Sequence, residues 1–145
     1  MTTDVIEVTL LGPPLAKGRP RFSKATGRTH TPERTLNYES RLAHVAAEVM
    51  ANRPLLEGPL SVEVLIRMPI PESKPRKWKE AALAGTIYPT KKPDVDNFAK
   101  MLDALNLIVW SDDSQIVALH VEKIYSDKPA FVARISPKQP KGAFG

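Results

Sequence analysis

Five aspartates crowd a short stretch in the second half of the chain, and their type and spacing predict metal-dependent chemistry. Asp94, Asp96, Asp103, Asp112 and Asp113 lie within twenty residues and are five of the protein's sixteen carboxylates. Like charges about 4 Å apart repel by about 4 kcal/mol per pair at an effective dielectric of about 20. A hard divalent cation relieves that repulsion, and Mg²⁺ prefers carboxylate and phosphate oxygens. The stretch therefore predicts a magnesium site.

Ordinary structural roles are an alternative explanation for each of these acids. Asp96 and Lys100 are spaced as a helical i,i+4 ion pair worth about 0.2–0.5 kcal/mol. Asp94 suits the N-cap of a helix, and Asp112 with Asp113 suits a turn before a strand. The pattern alone leaves these alternatives open.

The elements around the aspartates decide whether they can meet. Within one helix Asp94 and Asp96 would point about 200° apart, but Pro93 places Asp94 at or before the first helical residue, where it is free to turn toward Asp96. A helix over about 94–106 carries the chain away by roughly 18 Å. The apolar run 107–110, if extended, returns some 17 Å by Asp112. We therefore expect Asp112 and Asp113 beside the start of this helix.

Periodicity and turn residues predict the other elements. They are a strand over 5–11, a helix from its N-cap Thr31 to about Ala51, a strand over 60–68, a short basic helix over 74–83, and strands over 116–125 and 130–135. The first two strands are expected to be neighbours. The last two are expected to form an antiparallel pair around the turn 127–129.

Composition narrows the class of partner. The 145 residues suit one domain, and 21 Lys and Arg against 16 Asp and Glu give a net charge of +5, which favours a polyanion. With no cysteine, disulfides, zinc–thiolate sites and thiol nucleophiles are excluded. The chain shows neither a membrane span nor a signal peptide. We expect a cytoplasmic protein that needs no membrane and no small-molecule substrate.

Cations gather in three segments that could follow a phosphate backbone. The first is a loop over 17–28 that also carries Phe22, the second is 74–79, and the third precedes Asp94. The predicted DNA-binding residues are Lys17, Arg19, Arg21, Lys24, Arg28, Lys74, Arg76, Lys77, Lys91 and Lys92. A solvated surface loop is the alternative for the first segment.

The central block resembles the RusA family of Holliday-junction resolvases. The matching motifs are Lys92-Pro93-Asp94-Val95-Asp96-Asn97, Lys100, Leu102-Asp103-Ala104-Leu105-Asn106, and Trp110-Ser111-Asp112-Asp113-Ser114-Gln115-Ile116-Val117. Gly27-Arg28-Thr29-His30 is similar to the N-terminal half of that family, and the resemblance covers roughly 5–135. The basic segment 74–88 looks like an insert found in a phage and prophage branch.

The resemblance implies a fold, an activity and a set of site residues. It implies a homodimer with an α/β (α+β) fold, in which a small mixed sheet packs with helices in one domain over 1–135. The segment 136–145 is rich in Pro, Lys and Gly, which predicts a disordered tail. Asp94, Asp96 and Asp113 would be catalytic metal ligands, Lys100 the catalytic lysine, and Asp112 and Asp103 supporting acids around the ligands. The cofactor would be Mg²⁺, with Mn²⁺ as a substitute.

The predicted function is hydrolysis of DNA phosphodiesters in four-way junctions by paired symmetric nicks. A metal-bound water would attack phosphorus, and a two-fold dimer suits the approximate two-fold symmetry of the junction. One rival is a nucleic-acid-binding module without catalysis. Another is a sugar-nucleotide transferase with an Asp-x-Asp metal site, which the short basic chain without a Gly-rich phosphate loop disfavours.

Overall fold

The computed structural model describes residues 5–17, 21–25, 27–30 and 33–140. The strands are β1 (Ile6–Leu11), β2 (Arg21–Ser23), β3 (Arg28–His30), β4 (Leu60–Pro69), β5 (Ile116–Ser126) and β6 (Ala130–Pro137). The α-helices are α1 (Glu33–Met50), α2 (Arg76–Leu83) and α3 (Val95–Ala99), and short 3₁₀ helices cover Lys100–Leu105 and Asp113–Gln115.

A mixed four-stranded sheet organises the domain, with the strand order β1-β6-β4-β5. β4 and β5 run parallel, whereas β6 is antiparallel to both β1 and β4. β2 and β3 form a separate two-stranded antiparallel sheet. This arrangement confirms the predicted α+β fold in a single small domain.

The core lies between one face of the sheet and the helices. Alternate residues of β4, such as Val62, Val64 and Ile66, are buried on that face, and α1 packs Leu42 and Ala46 into the same cluster. Each large apolar side chain removed from water contributes about 1.5–3 kcal/mol. None of the helices in the described ranges is long and apolar enough to span a membrane.

The predicted strand neighbours were wrong in two places. β1 does not lie beside β4, because β6 is inserted between them. β5 and β6 do not pair with each other, because β4 separates them. The reason lies in β6, whose residues Ala130 to Ala133 are all buried. Burial on both faces is typical of a central strand, whereas period-two alternation does not specify a strand's neighbours.

The short connection from β5 to β6 passes over the end of β4. Crossing two strand spacings requires about 10 Å, and the four peptide links through residues 127–129 can cover about 13 Å. Main-chain contact secures the connection, since the Gly12 amide donates to the carbonyl of Pro129 at 2.9 Å. A tight turn therefore joins two strands that are not adjacent.

The basic segment predicted as a loop over 17–28 contains regular structure. β2 and β3 form a hairpin, and Gly27 takes a positive φ of 67° in its turn. The local pairing of strands outweighs the nearby proline and glycine. Residues 18–20 and 26, and the predicted N-cap Thr31, lie outside the described residues.

The predicted end of the domain at residue 135 falls inside β6, which continues through Pro137. Just beyond the strand, the Lys138 amide donates to the carbonyl of Pro59 at 2.9 Å. Residues 141–145 lie outside the described ranges. The division into a domain and a disordered tail stays a prediction.

The helix expected over 94–106 is shorter and changes type. It begins at Val95, as Pro93 predicts, but after Ala99 it tightens into the 3₁₀ helix Lys100–Leu105. Its buried side chains Phe98, Met101, Leu102 and Leu105 include pairs three residues apart, which suits the three-residue turn of a 3₁₀ helix. Lys100 and Asp103, also three apart, consequently project from the same side.

The return from this helix is a compact turn, so the prediction of an extended run over 107–110 was wrong. Leu107 adopts a positive φ of 66°, and its amide donates to the Trp110 carbonyl at 2.6 Å. The Trp110 indole is fully buried and donates to Oδ1 of Asn106 at 2.6 Å. The chain therefore turns back within a few residues of Leu105.

We expect Phe98 to anchor α3 to the core. It is the buried residue of that helix, so Phe98→Ala should lower the free energy of unfolding by about 3–5 kcal/mol. Val95→Ala changes a half-exposed residue of the same helix and should cost less than about 1 kcal/mol. Urea unfolding followed by circular dichroism measures both, and equal losses would contradict the assignment.

Candidate active site

Four of the predicted site residues line one open depression beside β5. Asp96 reaches it from α3, Lys100 and Asp103 from the 3₁₀ helix Lys100–Leu105, and Asp113 from the 3₁₀ helix just before β5. Its remaining walls are Ala99, Leu102, Ile116 and Leu119. Residues distant in sequence thus share a surface because α3 packs against β5, the 3₁₀ helix Lys100–Leu105 packs against α3 and α1, and the returning chain leads into β5.

Asp94 occupies the N-cap position of α3 without serving as its cap. Its backbone is extended, with φ −73° and ψ 156°, and its side chain makes no capping hydrogen bond. The carboxylate is exposed and is not among the groups that line the depression. The capping alternative therefore describes the position of Asp94 in the chain but not the use of its side chain.

The Asp96–Lys100 ion pair suggested by the i,i+4 spacing is not formed. Lys100 instead points its ammonium group at Oδ1 of Asn97, 3.4 Å away. The change from α-helix to 3₁₀ helix occurs at Lys100, which alters the spacing on which such a pair depends. Both charged groups remain exposed beside the depression.

Asp112 and Asp113 are adjacent but have different surroundings. Asp112 is the N-cap of the short 3₁₀ helix and forms a capping box with Gln115. The Ser114 hydroxyl donates to its Oδ2 at 2.9 Å, and this hydrogen bond is the main cause that lowers the pKa of Asp112. The carboxylate of Asp112 is therefore engaged in local structure.

Asp113 faces other acids. The carboxyl group of Asp103, followed by that of Asp112, raises the pKa of Asp113 above its ordinary value. Asp113 is exposed and lines the depression, which Asp112 does not. Crowded carboxylates favour a bound proton or a bound cation, so Asp113 is the member of the pair placed to take a ligand.

Lys17 contacts the acidic group from the N-terminal half of the chain. Its ammonium group lies 3.0 Å from Oδ2 of Asp103 and 3.5 Å from Oε1 of Glu39. Partial burial acts to lower the pKa of Lys17, but the hydrogen bond and charge of Asp103, with Glu39, outweigh it and raise the pKa. The sequence predicts Lys17 as a phosphate contact, and no sequence signal links it to Asp103.

Lys123 is a residue that the sequence pattern did not single out. From β5 its ammonium group donates to the carbonyls of Lys91 and Pro93, at 2.9 Å each. Those carbonyls flank the chain that leads into Asp94. β5 is an edge strand, and no sequence pattern indicates that a lysine there will hold the main chain of a distant segment.

Gln115 was also missed, although a readable signal was present. Its Oε1 accepts from the amides of Ser111 and Asp112, and its Nε2 donates to the carbonyls of Leu56 and Gly58. An N-cap residue followed three positions later by Gln is a capping-box pattern. That pattern predicts that a helix begins at Asp113. It also distinguishes Asp112, which caps the helix, from Asp113, which does not.

The predicted DNA-binding residues lie in several settings. Lys24, Arg28, Arg76, Lys77, Lys91 and Lys92 are exposed. Lys74 lies over the ring of Trp78 at 5.0 Å, and Trp78 packs edge-on against Tyr125 of β5. Arg76 pairs with Glu80 at 3.0 Å. Arg19 and the side chain of Arg21 lie outside the described residues.

The donor atoms of the depression are of the kind that suits a hard cation. They are carboxylate oxygens, and the raised pKa of Asp113 reflects crowding that a cation would relieve. Within the described ranges, however, no three His, Asp or Glu side chains are already arranged to hold a metal ion. The residues fit Mg²⁺ in chemistry, and binding would require their side chains to converge.

Comparison with known proteins gives a family match over most of the chain. Residues 12–136 match the family described as endodeoxyribonuclease RusA. A relative from Bacillus subtilis strain 168, named "Uncharacterized protein YqaN", is 41% identical over 133 residues, which cover 87% of this chain and 92% of the relative. The family match includes the helical segment, the turn and β5, which together form the depression.

We expect Gln115→Ala to destabilise the protein. The substitution removes four hydrogen bonds, two to the amides of Ser111 and Asp112 and two that join the start of β5 to the carbonyls of Leu56 and Gly58. It should lower the free energy of unfolding by about 1–3 kcal/mol. Gln139→Ala, at an exposed glutamine, is the matched control and should change it by less than about 0.5 kcal/mol. Thermal unfolding compares the two, and equal midpoints would contradict a structural role for Gln115.

Proposed function

The chain belongs to the RusA endodeoxyribonuclease family, and we propose that it is a divalent-metal-dependent nuclease that resolves four-way DNA junctions by paired nicks. The observation that carries the proposal is that Asp96, Lys100 and Asp113 line one exposed depression on a basic protein. Family membership supports the substrate class. The geometry supports the choice of residues.

Asp94, Asp96 and Asp113 would hold the cation, and each is exposed. A bound Mg²⁺, or Mn²⁺ in its place, would polarise the phosphate and lower the pKa of a water molecule. Asp96 lines the depression from α3, and Asp113 faces it from the opposite segment. Asp94 carries no capping hydrogen bond, so its side chain is available to turn toward Asp96.

Lys100 would stabilise negative charge that develops on the phosphate. Its ammonium group lies beside the depression, without an ion pair to Asp96, and contacts the neutral Asn97 amide. A cation that carries no carboxylate partner keeps its charge for a phosphate oxygen. This role is distinct from holding the metal.

The two neighbouring acids would support the site in different ways. Asp112 caps the 3₁₀ helix that presents Asp113. Asp103 sits between Lys17 and Asp113. Neither role requires contact with substrate.

The exposed basic residues would hold the arms of branched DNA by contacting phosphates. Lys91 and Lys92 precede Asp94 in sequence, and Lys74 and Lys77 belong to the segment that packs on Tyr125 near the end of β5. Two copies of the chain, acting as a homodimer in the cytoplasm, would cut the junction symmetrically.

We expect the wild-type protein to nick a labelled four-way junction with Mg²⁺ and to stop when EDTA removes the metal. Asp96→Asn and Asp113→Asn should each reduce the cleavage rate by at least about 100-fold, because each removes a proposed ligand. Asp112→Asn should lose less than about tenfold, since Asn caps a helix about as well as Asp. Single-turnover cleavage of junction, Y-fork and linear duplex measures these effects.

Two outcomes of that assay would overturn the proposal. Junction binding without cleavage under every metal condition indicates the non-catalytic binding module. A loss at Asp112 equal to that at Asp113 contradicts the assignment of ligand and cap. Light scattering of the same sample, with and without the junction, tests the dimer.

We expect the basic segment at α2 to contribute salt-dependent binding. Lys77→Met should reduce the slope of log affinity against log salt concentration by about 0.9 for each phosphate that Lys77 neutralises. Arg76→Met should have a smaller effect, because Glu80 already balances Arg76. Lys138→Met, at an exposed lysine outside the three basic segments, is the control. Equal slopes for wild type and Lys77→Met would contradict the proposal that α2 contacts DNA.

A further inference from the structure

Lys17 joins three separate parts of the protein at the edge of the depression. Its ammonium group contacts Asp103 of the 3₁₀ helix at 3.0 Å and Glu39 of α1 at 3.5 Å. Its backbone amide donates to the carbonyl of Asn97 in α3 at 3.0 Å. Main chain and side chain thus both attach the segment after β1 to the elements that carry the acids.

The contact with Asp103 places a positive charge beside the carboxylates that line the depression. Asp103 lines the depression together with Asp96 and Asp113. Lys100, the other lysine nearby, contacts the Asn97 amide and forms no ion pair with Asp96. Lys17 consequently provides a balancing charge for the acids in the absence of a metal ion.

The second partner explains how Lys17 can remain in place if Asp103 moves. Oε1 of Glu39 is buried and accepts no hydrogen bond from the described residues, so the nearby ammonium group balances an otherwise costly charge. Glu39 and the main-chain bond to Asn97 are both independent of Asp103. Release of Asp103 would therefore leave Lys17 anchored.

We propose that Lys17 is the resident counter-ion of these carboxylates and that its ammonium group competes with a divalent cation for Asp103, whose charge would then support the cation held by Asp94, Asp96 and Asp113. The inference rests on the proposed function to the extent that the depression binds metal. It assigns Lys17 a role in metal affinity in addition to, or instead of, the phosphate contact that its sequence context predicts. When the cation binds, Asp103 leaves Lys17 and Lys17 keeps Glu39.

The test is the dissociation constant for Mn²⁺ of the free protein, measured without DNA by electron paramagnetic resonance of unbound Mn²⁺. Lys17→Met should bind Mn²⁺ about three- to tenfold more tightly than wild type, because one positive charge near the acids is removed. Lys17→Arg, which keeps the charge, should stay within about twofold of wild type. An unchanged or weaker affinity in Lys17→Met overturns the proposal.

A double-mutant cycle tests whether Lys17 acts through Asp103. If it does, adding Lys17→Met to Asp103→Asn should tighten Mn²⁺ binding by much less than it does in wild type. An equal gain in both backgrounds overturns competition at Asp103. Arg134→Met removes a cation that pairs with Glu7 on β1, away from the depression, and should leave the affinity unchanged.

A second variant guards against loss of folding. Lys17→Met leaves the partly buried Glu39 carboxylate without its ion pair to Lys17. Lys17→Met combined with Glu39→Gln removes that charge as well. Thermal unfolding in EDTA identifies which variants are folded, and the comparison of Mn²⁺ affinity uses Glu39→Gln as the reference for the double variant. Tighter binding in the double variant supports the proposal, and equal binding overturns it.

The metal measurement separates this proposal from the proposed function. Tighter Mn²⁺ binding in Lys17→Met without junction cleavage by wild type would support the counter-ion role and contradict the nuclease. Cleavage by wild type, with equal Mn²⁺ affinity in wild type and Lys17→Met, would support the nuclease and contradict the counter-ion role. A reduced salt slope of junction binding in Lys17→Met, with unchanged Mn²⁺ affinity, would establish a phosphate contact and overturn the counter-ion role.

Discussion

The buried indole of Trp110 is the constraint on which the arrangement of the acids depends. The indole nitrogen donates to Oδ1 of Asn106. The backbone carbonyl of Trp110 accepts from the Leu107 amide, and the Trp110 backbone forms a β-bridge with Leu56. These bonds close the chain into a turn directly after the 3₁₀ helix. Asp113 consequently meets Asp103, and Asp96, about two helical turns before Asp103, lines the same depression.

Helix capping is an alternative use for these aspartates, and the structure shows which of them serve as caps. Capping engages Asp112, because its side chain accepts hydrogen bonds from the Ser114 hydroxyl and the Gln115 backbone amide. It does not engage Asp94, which occupies a cap position with an unused side chain. An acidic cluster therefore contains both structural and available carboxylates, and only their hydrogen bonds distinguish them.

Much of the fold was predictable from the sequence. Apolar and polar residues alternate around Val62, which predicts β4, and Pro93 limits where α3 begins. The order of strands was not predictable, since β6 pairs with β1 and β4 through contacts distant in sequence. The positive φ of Leu107 was equally hidden, because leucine rarely adopts that conformation. At the candidate site the sequence indicated the acids, but the link from Lys17 to Asp103 required the tertiary structure.

The two carbonyls held by Lys123 have a consequence for how the domain tolerates change. They attach residues 91 and 93 to β5, the same strand that begins just after Asp113. The chain that leads into Asp94 and the chain that follows Asp113 are thereby both attached to the same strand, β5. Because these hydrogen bonds fix the chain after the stretch between β4 and residue 91, we expect a change in the length of that stretch to leave the spacing of the acids in the candidate site unchanged.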